Sequence, residues 1–237
     1  NYPLDNFNDF KKNKYSFVTS PKFPNIYKLY TKKHIWGRGF PLHLVNRNET
    51  IEKTDIDSSN IPDIGIYQSI VNGDPDVDAI FRMTSNEYTN GEIIFDKHKN
   101  FICNKEVYVS GNTQATFWID KTLFHLMYIP STVTFRFCDI LRTYITQKCM
   151  WQYNKHYCYI SPIVKQIRNA HDLQKDFLSE IPMYTHMFNI INEIFDSIQL
   201  NKDKNDILII YQELLNKNIV KQEEIVRLKE FLKLLNL

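Results

Sequence analysis

The spacing of apolar residues changes character along this chain, and each change suggests an element. Residues 1–60 mix Asn, Lys, Pro and aromatics without a sustained period, which predicts long loops broken by short strands or helical turns. Residues 61–71 predict a short helix, and residues 79–84 a strand that grows out of an acidic cluster. Short strands are expected at 93–95 and 106–109, and the polar break Gly111-Asn112-Thr113-Gln114 precedes another apolar run at 115–118. Residues 132–137 carry the β-branched and aromatic chemistry of a strand. They lead into a helix on which Ile140, Leu141, Tyr144, Ile145 and Trp151 recur at helical spacing. After a break at Ser161-Pro162, a further helical stretch runs from about Leu173 through Phe177. From residue 183 to 237 the period is helical throughout, with Ile190, Ile194, Ile207, Leu214, Leu228 and Leu232 on apolar faces.

This patterning divides the chain into a loop-rich segment packed on the core (1–60), a core (61–180) and a helical C-terminal extension (181–237). The extension carries no pattern that suggests chemistry. Its apolar faces suit docking on the domain or on a partner, a second copy of the chain included.

With 237 residues and 43% apolar content the chain can bury a substantial core. Its 29 basic and 27 acidic residues are mixed along the sequence, so it lacks the positive footprint that duplex nucleic acid requires. No apolar run approaches the length of about 18 residues needed for a membrane segment. The first residues lack a methionine and a signal layout, which suggests a processed or excised segment. Cys103, Cys138, Cys149 and Cys158 form no CxxC pair and read mostly as small core residues, with a disulfide left open. The sequon Asn48-Glu49-Thr50 is too short to establish secretion.

The densest candidate chemistry is Gly73-Asp74-Pro75-Asp76-Val77-Asp78. On an extended backbone Asp74, Asp76 and Asp78 share one side, where their charges repel unless a cation or a set of donors lies between them. An EF-hand is excluded, because counting from Asp74 puts Ala79 and Ser85 where glycine and glutamate are needed. A solvated turn fits Asn-Gly-Asp-Pro equally well. Trp36-Gly37-Arg38-Gly39 reads either as a surface turn or as a flat apolar face beside a fork of donors. Asn112 and Gln114 are turn residues or amides suited to sugar hydroxyls. Asp139, placed near a helix N-terminus, is either a dipole-stabilised carboxylate or a base, with Arg136 or Arg142 to orient it. His171 is a candidate metal ligand or proton carrier.

Four blocks, taken in order, carry a resemblance: Trp36-Gly37-Arg38-Gly39-Phe40-Pro41-Leu42, residues 72–82, Thr132-Val133-Thr134-Phe135-Arg136-Phe137-Cys138-Asp139-Ile140, and Arg168-Asn169-Ala170-His171. Together they resemble the STELLO-like family of glycosyltransferases over roughly residues 33–177. That family is similar to the plant UDP-arabinopyranose mutases, the reversibly glycosylated polypeptides. The resemblance implies an α/β fold of the GT-A, nucleotide-sugar-binding type, of which this chain would be the acceptor-side half followed by the helical extension.

The resemblance also implies a divalent metal, Mn or Mg, a nucleotide-sugar donor, a glycan or other hydroxyl acceptor, and residence in the Golgi lumen. Asp139 is then the expected base. Asp76 and Asp78 would bind sugar hydroxyls, Arg38 and Arg136 would face anionic groups, and Asn112 and Gln114 would contact substrate. Two departures limit the carry-over. Val45 follows Pro41-Leu42-His43-Leu44 where the mutases carry the arginine that becomes glycosylated, and the metal-binding run Asp-Asp-Asp-Asn occurs nowhere in the chain. Asn1 resembles the asparagine that closes that run. A non-catalytic glycan- or protein-binding remnant of the same fold is the alternative, and a sugar-nucleotide mutase a weaker one.

Overall fold

The centre of the molecule is a pair of long parallel strands, β4 (Ile64–Gly73) and β7 (His156–Gln166). Every position of β4 is buried, so its sequence shows no polar–apolar alternation, and its polar residues Gln68, Ser69 and Asn72 are buried with the rest. The computed structural model describes residues 2–3, 9–89 and 92–235, and the resemblance at Asn1 lies outside them.

Around the central pair the sheet is mixed. From edge to edge the order is β3 (Glu52–Ile56), β2 (Lys14–Ser20), β5 (Lys99–Cys103), β7, β4 and β6 (Thr116–Trp118), and a short β1 (Tyr2–Pro3) also pairs with β7. β2 and β5 are parallel, whereas β3 on β2, β5 on β7 and β6 on β4 are antiparallel. Among the helices are α1 (Ala79–Thr84), α2 (Asn86–Thr89), α3 (Phe135–Met150), α4 (Leu173–Asn189), α5 (Asp206–Asn216) and α6 (Gln222–Leu234). A π-helical turn, Ile190–Phe195, continues α4.

The main core gathers Tyr30 and Trp36, Ile66 and Ile70, Phe137 and Ile140, and Ile210 and Leu228, so residues from all along the chain meet in one apolar cluster. A smaller cluster, Tyr15, Ile64, Tyr67, Ile102, Cys158, Ile160 and Ile163, covers another part of the sheet. All four cysteines are free. Cys103, Cys149 and Cys158 are buried, and Cys138 is partly exposed.

Several elements differ from the sequence expectation. The stretch 61–71 holds no helix: from Ile64 onward it is the strand β4, because β7 and β6 supply ladder partners to both edges of an isoleucine-rich run. Residues 79–84 are helix rather than strand, because Asp78 accepts a 2.7 Å hydrogen bond from the Phe81 N–H and caps the first turn. Residues 106–109 form a loop in which Glu106 is exposed and Val107, Tyr108 and Val109 are buried, and Ile93 makes a single bridge to Gly73. The extended stretch at 132–137 ends early: Thr134 is the cap and α3 starts at Phe135. Asp139 therefore lies in the second turn of α3, too far along for the helix dipole to govern it. Ser161-Pro162 is no break. It sits at a register irregularity inside β7, where a bulge tolerates the missing proline donor.

Candidate saccharide cleft

Arg38 is where the separated motifs meet. Its backbone N–H bonds the Asp76 carbonyl at 3.0 Å, which ties the Trp36-Gly37-Arg38-Gly39 loop to the acidic cluster. Gly39 then turns with φ +90, a conformation in which a side chain is strained, and an added Cβ would lie 2.4 Å from Ile140 Cγ2. Close approach of this loop to α3 thus depends on glycine, and it carries the Arg38 side chain to Asp139.

The guanidinium lies between two carboxylates. Nε and Nη2 donate to Asp76 Oδ1 and Oδ2 at 3.0 and 2.9 Å, while Nη1 and Nη2 donate to Asp139 Oδ1 and Oδ2, both at 2.9 Å. Nη1 also donates to the Arg136 carbonyl. All three side chains are nearly buried. Burial works against the charge on Arg38, but Asp76 and Asp139 outweigh it and hold the guanidinium proton firmly. For Asp76 burial likewise opposes ionisation, and the adjacent Arg38 reverses this and holds the carboxyl below its usual range.

The Asp74-Asp76-Asp78 repulsion anticipated from sequence is resolved by separate donors. Asp74 pairs with buried Arg82 at 2.7 Å. Asp76 takes Arg38 and, at 2.8 Å, the Asn112 amide. Asp78 is fully buried and accepts from the Trp36 indole at 2.6 Å and the Phe81 N–H. Burial raises its pKa to about 6, against the pull of those two donors.

One cleft of about 580 Å³ collects most of the predicted site residues. Arg38, Asp76, Gln114, Arg136, Asp139 and His171 all line it. Arg168, Thr113 and Gln166 add polar groups, and Ile129, Val133 and Phe135 form an apolar wall. Phe135 is 87% exposed at the first position of α3. Thr113 Oγ1 reaches Asp139 Oδ2 at 3.4 Å, the loosest of that carboxylate's contacts. A ligand hydroxyl displacing Thr113 would therefore cost little.

Other expected residues take different positions. Asp78 does not line the cleft, and Trp36 is buried, its ring edge-on to Phe81 at 5.0 Å. Asn112 acts through Asp76 and through the turn its Oδ1 makes with the Gln114 N–H at 2.8 Å. Neither Arg38 nor Arg136 is a spare cation: Arg136 donates to Glu180 Oε1 through Nε and Nη2 at 2.8 and 2.5 Å. Neither Arg136 nor Arg142 orients Asp139 through its side chain. Arg142 instead lies 5.6 Å from the Trp118 ring centroid. His171 Nδ1 faces Asp176 Oδ2 and Arg168 Nη2, each at 3.1 Å.

Among the described residues no group of three or more His, Cys, Asp or Glu is arranged to hold a metal ion. The cleft carboxylates are matched to guanidinium groups, so the donor set present does not fit a divalent cation.

The residues that sequence reasoning passed over are Arg168, Asp176 and Glu180. The signal existed: Asp172, Asp176 and Glu180 recur every four residues and so share one face of α4. Asp172 caps that helix, Asp176 receives Arg168, and Glu180 receives Arg136, Tyr184 and the Ala79 N–H.

The fold and cleft define a mixed α/β protein with a cleft of about 580 Å³ in which paired charged groups face an apolar wall. No family model matches the chain. Among curated proteins it is similar to "Probable glycosyltransferase STELLO1" of Arabidopsis thaliana, 30% identical over 131 residues, covering 54% of this chain and 16% of the relative. It is also similar to "Probable glycosyltransferase STELLO2" of the same plant, 27% identical over 143 residues, covering 59% of this chain and 18% of the relative. The match thus takes in about half of this chain and less than a fifth of either relative. Similarity to STELLO-type proteins, anticipated from the four motif blocks, holds. No helix among the described residues is long and apolar enough to cross a membrane.

Proposed function

We propose that the chain is part of a glycosyltransferase of GT-A type and that its cleft binds the hydroxyls of a saccharide acceptor. The observation that carries this reading is the convergence of Arg38, Asp76, Gln114, Arg136, Asp139 and His171, drawn from remote parts of the sequence, on one cleft beside the exposed Phe135 ring. Paired carboxylates and amides accept and donate to hydroxyls, and an aromatic face covers the apolar side of a sugar ring.

In the reaction the bond from the anomeric carbon to the diphosphate oxygen breaks and an acceptor hydroxyl oxygen bonds to that carbon. The hydroxyl proton passes to Asp139, entering at the edge that Thr113 holds at 3.4 Å, while Arg38 fixes the carboxylate. Among the described residues the cleft carboxylates are taken up by guanidinium groups, so the proton transfer is assigned to Asp139 alone.

A specific observation favours a second reading, a glycan-binding module without catalysis. The cleft arginines Arg38, Arg136 and Arg168 each face a carboxylate, which leaves little positive charge for a diphosphate. Titration with a panel of neutral oligosaccharides and nucleotide sugars, followed by NMR shifts of the Gln114 and Gln166 amides, tests binding. Release of free nucleotide from the same panel with Mn or Mg tests transfer. Binding of neutral glycans that Asp139→Asn weakens supports the cleft, and added nucleotide release supports the enzyme. Binding without release supports the second reading, and no shift with any saccharide refutes both.

A further inference from the structure

The C-terminal helices carry no sequence pattern of chemistry, yet one of their residues holds a wall of the cleft. Glu224, in the first turn of α6, is fully buried. Its Oε2 accepts from the Ser131 N–H at 2.9 Å and the Thr132 N–H at 2.6 Å, and its Oε1 accepts from the Tyr128 hydroxyl. Two further bonds reinforce the contact: Arg227 Nη1 donates to Ser131 Oγ at 2.6 Å, and the Lys221 N–H donates to Thr132 Oγ1 at 3.1 Å. The Tyr128 ring is enclosed by Tyr211 of α5 and Phe231 of α6, with centroids at 5.6 and 5.4 Å.

The loop held in this way supplies Ile129, Pro130, Ser131 and Val133 to the cleft. That segment makes no strand and no α-helix, and two of its N–H groups find their acceptor in a carboxylate more than ninety positions along the chain. A carboxylate that accepts several donors in a dry site is worth more than a surface contact, and removing it leaves those donors stranded.

We propose that Glu224 is a positioning residue for the cleft, and that α5 and α6 set the part of the cleft's apolar wall that the loop 128–133 supplies. The inference rests on the cleft being the saccharide site, but its central test does not. Cys138 of α3 lines the same cleft and is partly exposed, whereas Cys103, Cys149 and Cys158 are buried, so thiol labelling of the folded protein reports on access to the cleft.

The measurement is the rate of Cys138 modification by a small uncharged maleimide, resolved by peptide mass spectrometry, with thermal unfolding recorded in parallel. Glu224→Gln keeps the shape but turns an N–H group toward one of the loop donors. It should raise the Cys138 rate about tenfold, as expected for losing a charged hydrogen-bond acceptor from a locally opening segment, and leave the other cysteines unlabelled. Arg227→Ala, at an exposed position, should raise it about threefold by removing the donor to Ser131 Oγ while Glu224 still holds the Ser131 N–H. Glu224→Asp, a shorter carboxylate, should fall between wild type and Glu224→Gln.

An unchanged Cys138 rate in folded Glu224→Gln overturns the proposal, as does equal labelling of all four cysteines, which would mean global loosening. If Glu224→Gln does not fold, an unchanged rate in Arg227→Ala overturns it. Where wild-type protein binds an oligosaccharide, Glu224→Gln should weaken that affinity with the melting temperature held above the assay temperature. Where it binds none, the saccharide reading fails and the labelling result still decides the role of Glu224.

Discussion

Replacing Arg38 with methionine would test the electrostatic account of the cleft most severely. The side chain keeps its approximate length, while Asp76 and Asp139 lose the guanidinium that bonds both of them at 2.9 to 3.0 Å. Among the described residues Asp76 would keep the Asn112 amide as a side-chain donor, and Asp139 the Ile140 N–H and the long Thr113 contact. Breaking a buried ion pair by removing one partner costs about 3–5 kcal/mol, because an uncompensated charge stays behind. At roughly 2–4 °C per kcal/mol for a chain of this size, the melting temperature should fall by about 10 °C near neutral pH.

The pH dependence supplies the sharper criterion. In the wild type the Asp76 pKa is depressed, so its contribution is present above the unfolded value of about 3.9 and is lost only as pH falls through the folded value. In Arg38→Met the buried Asp76 carboxyl loses the cation that offsets its burial, and it takes up a proton more readily. The deficit should therefore shrink as pH is lowered from about 7 to about 4. Adding Asp139→Asn to Arg38→Met should recover part of the loss. Thermal unfolding across that range measures all of this. A melting difference that does not change with pH, or a double variant less stable than Arg38→Met, would refute the reasoning.

Asp78 gives a second pH signature. Its pKa of about 6 lies above the unfolded value, so its protonated form favours the fold, and that stability is complete below about pH 4 and lost as pH rises through about 6. Asp78→Asn should remove this slope from melting curves and cost about 1–2 kcal/mol at low pH by stranding the Trp36 indole N–H. Gly39→Ala should lower the denaturant midpoint by about 2–4 kcal/mol equivalent, since it adds left-handed strain to a 2.4 Å clash with Ile140. Phe135→Ser should change stability by less than about 0.5 kcal/mol, as the ring is 87% exposed, yet weaken oligosaccharide binding measured by calorimetry.

The candidate residues were more legible than the backbone that carries them. Arg38, Asp76 and Asp139 stand out as charges beside apolar runs, and they do meet. Their partnership was misassigned, because Arg136 and Arg142 lie closer to Asp139 in sequence, whereas Arg38 reaches it across about a hundred positions. Helix and strand were exchanged at 61–71 and 79–84 for one reason in each case. The first stretch has strand partners on both edges, and the second has a capping carboxylate at Asp78 that local apolar spacing does not register. Glu224 was invisible, since a glutamate in a charged helix reads as solvated until the loop it holds is folded against it.

By itself the sequence determined the apolar helical faces of α3, α5 and α6, the balanced charge, the likeness to STELLO-type proteins, and the identity of several polar groups in the cleft. Only the tertiary structure decided which charge answers which. Periodicity and capping act over a few residues and are written locally. Ion pairs such as Arg38–Asp139 and Arg136–Glu180 form between chain segments that only packing brings within 3 Å, where the loss of water makes each partner's position decisive.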